Sequence, residues 1–268
     1  MKKKKILGIF GNVANAGQER ANSDVYKLLA NEPGYEVLVL VNERGFHWHL
    51  QPFFERNSIP FKKIRFPWGI YWNSSFRHII QWVIDIIINN IQFISNYLKF
   101  RPDYIHIGNE YMYKTLIIPL SFCKAKIVFR LGDRPFRKHF FNRWYWNLIS
   151  RKVYTFVCDT HYIHGLLKES GRRNDNDIVL YHPVPERIPS VSQTNLQPHN
   201  NIIFGYVGQI NESKGVKLLV KCASEICARN SNVEFKFAGN ISKNKFYTDC
   251  IEPMLNHLTD NIKNRISF

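Results

Sequence analysis

Short apolar runs alternate with helix-patterned segments along almost the whole chain, and each early run is followed by a turn. Lys5–Phe10 is apolar and ends at Gly11; the small, polar stretch GNVANAG follows, then a helical pattern over Glu19–Leu29 and a second apolar run, YEVLVLV, at Tyr35–Val41. Strand, glycine-containing loop, helix and strand in this order predict a βαβ unit with parallel strands, because two parallel strands need a long crossover. The pattern recurs at DYIHI (Asp103–Ile107), KIVFRL (Lys126–Leu131), YTFVC (Tyr154–Cys158) and DIVLY (Asp177–Tyr181). An α/β fold with a doubly wound, mostly parallel sheet is the expectation.

Residues 182–200 break the pattern: Pro183, Pro185, Pro189 and Pro198 fall among Ser, Gln, Asn and Thr. This composition predicts an interdomain linker. Beyond it NIIFGYV (Asn201–Val207) begins a second βαβ unit. Val216, Leu219, Ala223 and Ile226 repeat at helical spacing, VEFKFAG (Val233–Gly239) is the next strand, a helix is expected around Cys250–Leu258, and RISF opens a third strand. The predicted organisation is a Rossmann-like domain over 1–182, a linker over 183–200 and a second, partial Rossmann-like domain over 201–268. So small a parallel sheet is expected to leave apolar faces uncovered.

Charge is unevenly spread. Residues 1–190 carry 28 basic and 15 acidic side chains, and residues 201–268 carry 9 and 6, for a total of +16. Such an excess suits polyanionic partners. No helix-turn-helix, zinc-finger or RNA-recognition signature accompanies it, so nucleic acid is not expected. The stretch FKKIRFPWGIYWNSSFRH (Phe61–His78) interleaves aromatics with Lys62, Lys63, Arg65 and Arg77, which suits either an anionic membrane surface or a surface segment whose aromatics fold inward. The window that follows, Ile79–Leu98, has the length of a membrane span, but Asp85, Asn89, Asn90 and Gln92 interrupt it; Trp82, Ile86, Phe93 and Tyr97, with the isoleucines between them, suit a helix packed against protein. The five cysteines form no CxxC pair and read as thiols in a reducing compartment, and no secretory leader is expected from Lys2–Phe10.

In a βαβ unit the loop after the first strand and the following helix N-terminus meet at the carboxyl edge of the sheet, where backbone N–H groups and the helix dipole favour phosphate. Two loops hold that position. The first, Gly11–Gly17, does not match GxGxxG and is either a tight turn or a ligand contact. The second runs from Gly208 through Gln209–Ser213 to Lys214-Gly215, where the lysine can reach a diphosphate.

The second loop resembles the start of the C-terminal domain of family-four glycosyltransferases: an apolar strand, GxxxxxKG, an amphipathic helix and a strand ending in glycine (FKFAG). Ala16-Gly17-Gln18-Glu19-Arg20 resembles the same family's early GG-x-E-R turn, DYIHI its D-hydrophobic-H strand, and DIVLYHPVP the strand before its linker. The resemblance implies a GT-B-like fold of two Rossmann-like domains and a nucleotide-sugar donor on the second. It also implies a glycan or lipid-linked acceptor on the first, retention of anomeric configuration, and no metal or other cofactor. Lys214 takes the place of the lysine that neutralises the leaving diphosphate, and Gln209 stands where the family has an arginine, which leaves a hydrogen-bond donor without its charge. Gly239 matches the glycine that admits the nucleotide, and Gly17 the one facing the reacting sugar.

Two departures bear on catalysis. The family's histidine after the strand equivalent to KIVFRL is replaced by Gly132, leaving Arg130, Asp133 and His106 as candidates; an Arg130–Asp133 ion pair and a structural role for His106 are the competing readings. The later E-x7-E motif has no counterpart before Phe268. The expectation is therefore a glycosyltransferase of surface polysaccharide, lipopolysaccharide or glycolipid assembly, on the cytoplasmic side of a membrane and truncated within its second domain. The alternative is a non-catalytic remnant that binds an acceptor, membrane or partner. His47 and His49, two apart, lack a third ligand nearby, so no metal site is expected.

Overall fold

The computed structural model describes residues 2–11, 17–44, 50–67, 69, 74–135, 140–172, 174–181, 201–241 and 244–268. Two compact units divide the chain, Met1–Pro185 and Glu186–Phe268. The linker expected over 183–200, most of the Gly11–Gly17 loop, and His47 and His49 lie outside the described residues.

The first unit is built on a parallel sheet of seven strands: β1 (Lys4–Phe10), β2 (Tyr35–Asn42), β3 (Phe61–Ile64), β4 (Tyr104–Ile107), β5 (Lys126–Leu131), β6 (Val153–Cys158) and β7 (Ile178–Val179). Their order is β3-β2-β1-β4-β5-β6-β7. Between them lie α1 (Gly17–Asn31), α2 (Gln51–Arg56), α3 (Phe76–Phe100), α4 (Glu110–Thr115), α5 (Ile117–Phe122), α6 (Phe140–Lys152) and α7 (His161–Glu169). The sheet reverses direction of growth beside β1, so the carboxyl ends of β1 and β4 flank the point where such folds bind ligands.

Alternation within the strands sends side chains to two separate cores. Leu7, Ile9, Ile105, Ile107, Phe129 and Phe156 pack with Phe93 of α3, Leu120 of α5, Trp146 of α6 and Leu167 of α7. Ile6, Phe10, Val37, Val39 and Val41 face the other way, against Tyr26 of α1 and Phe54 of α2. Each such side chain taken fully out of water contributes about 1.5–3 kcal/mol, which is why these strands read as near-continuous apolar runs. Asn109 and Thr160 cap α4 and α7, accepting from the backbone N–H groups of Met112 and Ile163.

One element was not legible as a strand. Phe61–Ile64, the start of the basic-aromatic segment, pairs in parallel with Val39–Asn42 as the sheet edge. Phe61 is half-buried and Ile64 buried, while Lys62 and Lys63 are exposed, so this part of the segment folds its apolar groups inward and keeps its charge outward. DIVLY supplies only the two-residue strand β7.

The second unit is smaller. β8 (Ile202–Val207), β9 (Val233–Ala238) and β10 (Ile266–Ser267) form a parallel sheet in the order β10-β9-β8. Helix α8 (Val216–Arg229) lays Val216, Val220, Ala223 and Cys227 on Val233, Phe235 and Phe237. A π-helical turn at Tyr247–Ile251 runs into α9 (Glu252–Asn256), and α10 (Asp260–Lys263) precedes β10. Among the described residues helix covers one face of this sheet; Ile203 and Val207 point to the other and are 39% and 88% exposed.

No cysteine is in a disulfide; Cys123, Cys158 and Cys227 are buried. Burial pushes the Cys123 and Cys158 thiols up to about 11 and about 12, so both stay protonated and inert.

Candidate functional site

In the second unit the site residues gather at the carboxyl end of β8. Gly208 leaves the strand with its N–H donating to the Ala238 carbonyl at 3.0 Å. Tyr206 Oη donates to the Gln209 carbonyl at 2.9 Å. Asn211 then organises the turn: its Oδ1 accepts from Lys214 N at 3.0 Å and from Ser213 Oγ at 2.9 Å, and its Nδ2 donates to Gln209 Oε1 at 3.2 Å. A 3-10 turn, Glu212–Lys214, delivers the chain to Gly215, whose φ of 69° is left-handed and so favours glycine. Helix α8 starts there, and its first-turn N–H groups have no partner inside the helix.

The geometry puts a helix N-terminus, with its partial positive charge, beside the exposed ammonium of Lys214. Gln209 is exposed in the same turn, its amide oriented by Asn211. Gly239 follows β9 directly against this turn: a Cβ there would run into the Gly208 carbonyl oxygen and Ile210. Its glycine is thus required by backbone packing of the turn itself, a reason sequence reading alone did not supply. Asn244 Nδ2 donates to the Ile210 carbonyl at 2.7 Å and ties the turn from the other side. Asn211 was missed as the organiser of the turn, although an asparagine just before a helical turn is the usual capping signal.

In the first unit, Gly17 opens α1 beyond the undescribed loop. Arg130 and His106 lie on β5 and β4, on the side of the sheet facing α1. Arg130 is 4% exposed; its Nε donates to Asp159 Oδ1 at 2.8 Å and its guanidinium to Asn22 Oδ1 at 3.2 Å. The expected ion pair with Asp133 is therefore replaced by one with Asp159, because Asp133 sits beyond the strand end and is exposed. His106 Nδ1 shares a 2.7 Å hydrogen bond with Tyr26 Oη, and the two rings meet edge to face. A cavity of about 280 Å³ opens beside this pair, lined mainly by apolar groups such as Val25, Leu29, Val128 and Leu180. The structure does not bring Asp133 together with Arg130 and His106.

Burial, with the Arg130 charge adding to it, pushes the His106 imidazole down to about 4. A histidine lowered from an unfolded value near 6.5 is neutral when folded, so protonation favours the unfolded chain. Its contribution is fully present above about pH 6.5 and is lost as pH falls toward 4, amounting to about 2 kcal/mol between about pH 6.5 and 5. His106→Gln is expected to flatten that part of the stability–pH curve of the first unit, read by urea unfolding; an unchanged slope would mean that His106 is hydrated and titrates normally.

No protein-family profile and no curated protein sequence matches the chain. Solved structures do. Anabaena HepE in complex with UDP and glucose superposes with a TM-score of 0.68 at 16% identity, covering 99% of this chain and 68% of that one. A glycosyltransferase from Rickettsia africae gives 0.67 at 17% identity, covering 100% and 68%. A UDP-N-acetylglucosamine 2-epimerase gives 0.57 at 10% identity, covering 100% and 68%.

The fold is GT-B-like. Within this GT-B-like chain the turn at Gly208–Gly215 follows the first strand of the second unit, and the Arg130–His106 layer lies on the first. Transferases and epimerases share the scaffold, so the chemistry is argued from the sites and not from the fold.

Proposed function

We propose that the chain is a nucleotide-sugar-dependent glycosyltransferase. In this reading the second unit holds the donor diphosphate and the first holds a glycan or lipid-linked acceptor of surface polysaccharide assembly. The observation that carries it is the turn at Gly208–Gly215: a glycine-terminated strand, an asparagine-organised loop, an exposed lysine and the N-terminus of a 14-residue helix meet at one sheet edge. That combination supplies backbone donors, a helix dipole and a point charge, the elements that bind a diphosphate and stabilise it as it departs. The ligands in the HepE crystals, UDP and UDP-glucose, belong to the class such a turn accepts. Gln209 contributes a neutral donor, so Lys214 is the cation of the turn, with Glu212 as its one carboxylate.

The exposed lysines of β3, Lys62 and Lys63, suit an anionic membrane surface on the acceptor side, where a lipid-linked acceptor would be met. Gly17, at the start of α1, and Gly239 are assigned to the donor side. His106 and Arg130 act as structural groups that hold α1 on the sheet, and Asp133 is the exposed group left to contact an acceptor.

Calorimetry with UDP and UDP-glucose tests the donor site. Lys214→Ala is expected to weaken binding about tenfold or more, the effect of one charge-assisted hydrogen bond, with the circular dichroism spectrum unchanged because Lys214 is exposed. Equal affinity in wild type and variant would reduce Lys214 to a surface lysine and remove the basis of the proposal. UDP-glucose binding without transfer across a panel of acceptors would favour the binding-module alternative.

A further inference from the structure

Helix α3 is mounted with much of its polar surface toward the protein and its most apolar stripe toward solvent. Asp85, Asn89 and Phe93 are buried. Asp85 is gripped by both guanidinium nitrogens of Arg44, at 2.7 and 3.1 Å. Asn89 donates to the Arg65 carbonyl, and Gln92 accepts from Arg65 N, each at 2.7 Å. These bonds lock the rotation of the helix. With it locked, Ile80, Ile84, Ile87, Ile91, Ile94 and Leu98 form an unbroken outward stripe, each 42–62% exposed, and Phe76 extends it at 77%. From Phe76 to Leu98 the stripe is about 33 Å long. Contiguous apolar surface on that scale marks an interaction site.

Charge identifies the partner. The sole acidic residue of α3 is Asp85, which is buried and paired, whereas Arg77, His78 and Lys99 are exposed. At the end of the stripe Leu98 joins Lys4, Arg101, Lys124 and Lys126 around a groove of about 600 Å³, with Asp103 as its one carboxylate; that carboxylate already accepts from Lys5 N at 2.8 Å. The three-four spacing of the stripe would also fit a second helix. Two copies joined about a twofold axis, however, would set Arg77 of one against Lys99 and Arg101 of the other with no exposed acid on the helix to offset them.

We propose that α3 is an in-plane membrane anchor. Its isoleucine stripe lies among the acyl chains of an anionic leaflet, and the basic groove at its carboxyl end takes lipid phosphates. The helix lies on the bilayer and does not span it, because its opposite side is bonded to the first unit along much of its length. No described helix is long and apolar enough to cross a membrane. The inference deepens the membrane-facing reading of the acceptor side and rests on it for the identity of the leaflet.

The test is co-sedimentation of the full chain with vesicles of phosphatidylglycerol and phosphatidylcholine, or of phosphatidylcholine alone. Wild type is expected to bind the anionic vesicles more tightly. Ile87→Ser with Ile91→Ser, both at exposed positions, is expected to lower partitioning about tenfold or more with no change in unfolding midpoint. Lys99→Glu with Lys124→Glu should remove the preference for anionic lipid. Wild-type partitioning by the serine variant would overturn the proposal. So would light scattering that shows a wild-type dimer abolished by the same variant, since a second copy would then be the occupant. UDP affinity measured on these proteins without lipid separates the two readings: intact UDP binding with failed vesicle binding sinks the anchor alone, and the reverse sinks the donor site alone.

Discussion

Replacing Asp85 with alanine is expected to lower the stability of the first unit by about 3 kcal/mol, the lower part of the range for breaking a buried ion pair. The carboxylate is 1% exposed and accepts from Arg44 at 2.7 and 3.1 Å and from Gln81 at 2.9 Å, with Arg65 Nε at 3.4 Å. Its removal leaves two guanidinium groups near each other without the charge between them. Arg44 and Arg65 are 20% and 33% exposed and can turn partly toward water, which keeps the loss from reaching the top of the range. Asp85→Asn keeps the shape and part of the hydrogen bonding and should cost less. Urea unfolding measures both. A loss under about 1 kcal/mol for Asp85→Ala would show that the arginines relax freely and that packing of Phe93, not the ion pair, sets the orientation of α3.

The second large effect is expected at Arg130. Arg130→Met removes a guanidinium that is 4% exposed, together with its ion pair to Asp159, itself 13% exposed, and its hydrogen bond to the Asn22 amide. About 3 kcal/mol of stability should be lost, because a buried guanidinium and its ion pair with the half-buried Asp159 carboxylate are removed. A second readout separates charge from volume: the Arg130 charge helps to hold the His106 imidazole at about 4, so the variant should titrate closer to the ordinary histidine range, while burial still holds it below. UDP affinity, which belongs to the second unit in the proposed function, should not change. If Arg130→Met left stability within about 0.5 kcal/mol and instead abolished acceptor use, Arg130 would be a contact to substrate and the structural role would fall.

Much of the fold was legible because parallel strands buried on both faces must be apolar and must alternate with crossovers. Lys126–Leu131 and Val233–Ala238 match the apolar runs to within a residue, and Glu19–Leu29 falls inside α1. The strand at Phe61–Ile64 was hidden because its two lysines sit on an edge, where charge is tolerated and blunts unwanted pairing. The turn at Gly208–Gly215 was legible by its glycines and Lys214, which report local backbone needs. The partner of Arg130 was not: Asp133 is near in sequence, but Asp159 lies on the neighbouring strand's end, and the pairing of β5 with β6 brings it within 2.8 Å.

The apolar window at Ile79–Leu98 shows where the boundary falls. From the residues alone it follows that this segment is helical and that Asp85 would be costly in hydrocarbon; the expectation that the isoleucines pack inward with Trp82, Ile86, Phe93 and Tyr97 fails, since Ile80, Ile84, Ile87 and Ile91 are exposed. Which way the isoleucines point depends on a competition between burying them and pairing Asp85, Asn89 and Gln92. That competition is decided by Arg44 and Arg65, far away in the chain and brought beside the helix by β2 and β3. Periodicity records the spacing of a stripe, but only long-range pairing sets the side from which it is held, and here the polar bonds hold the helix with its isoleucines outward.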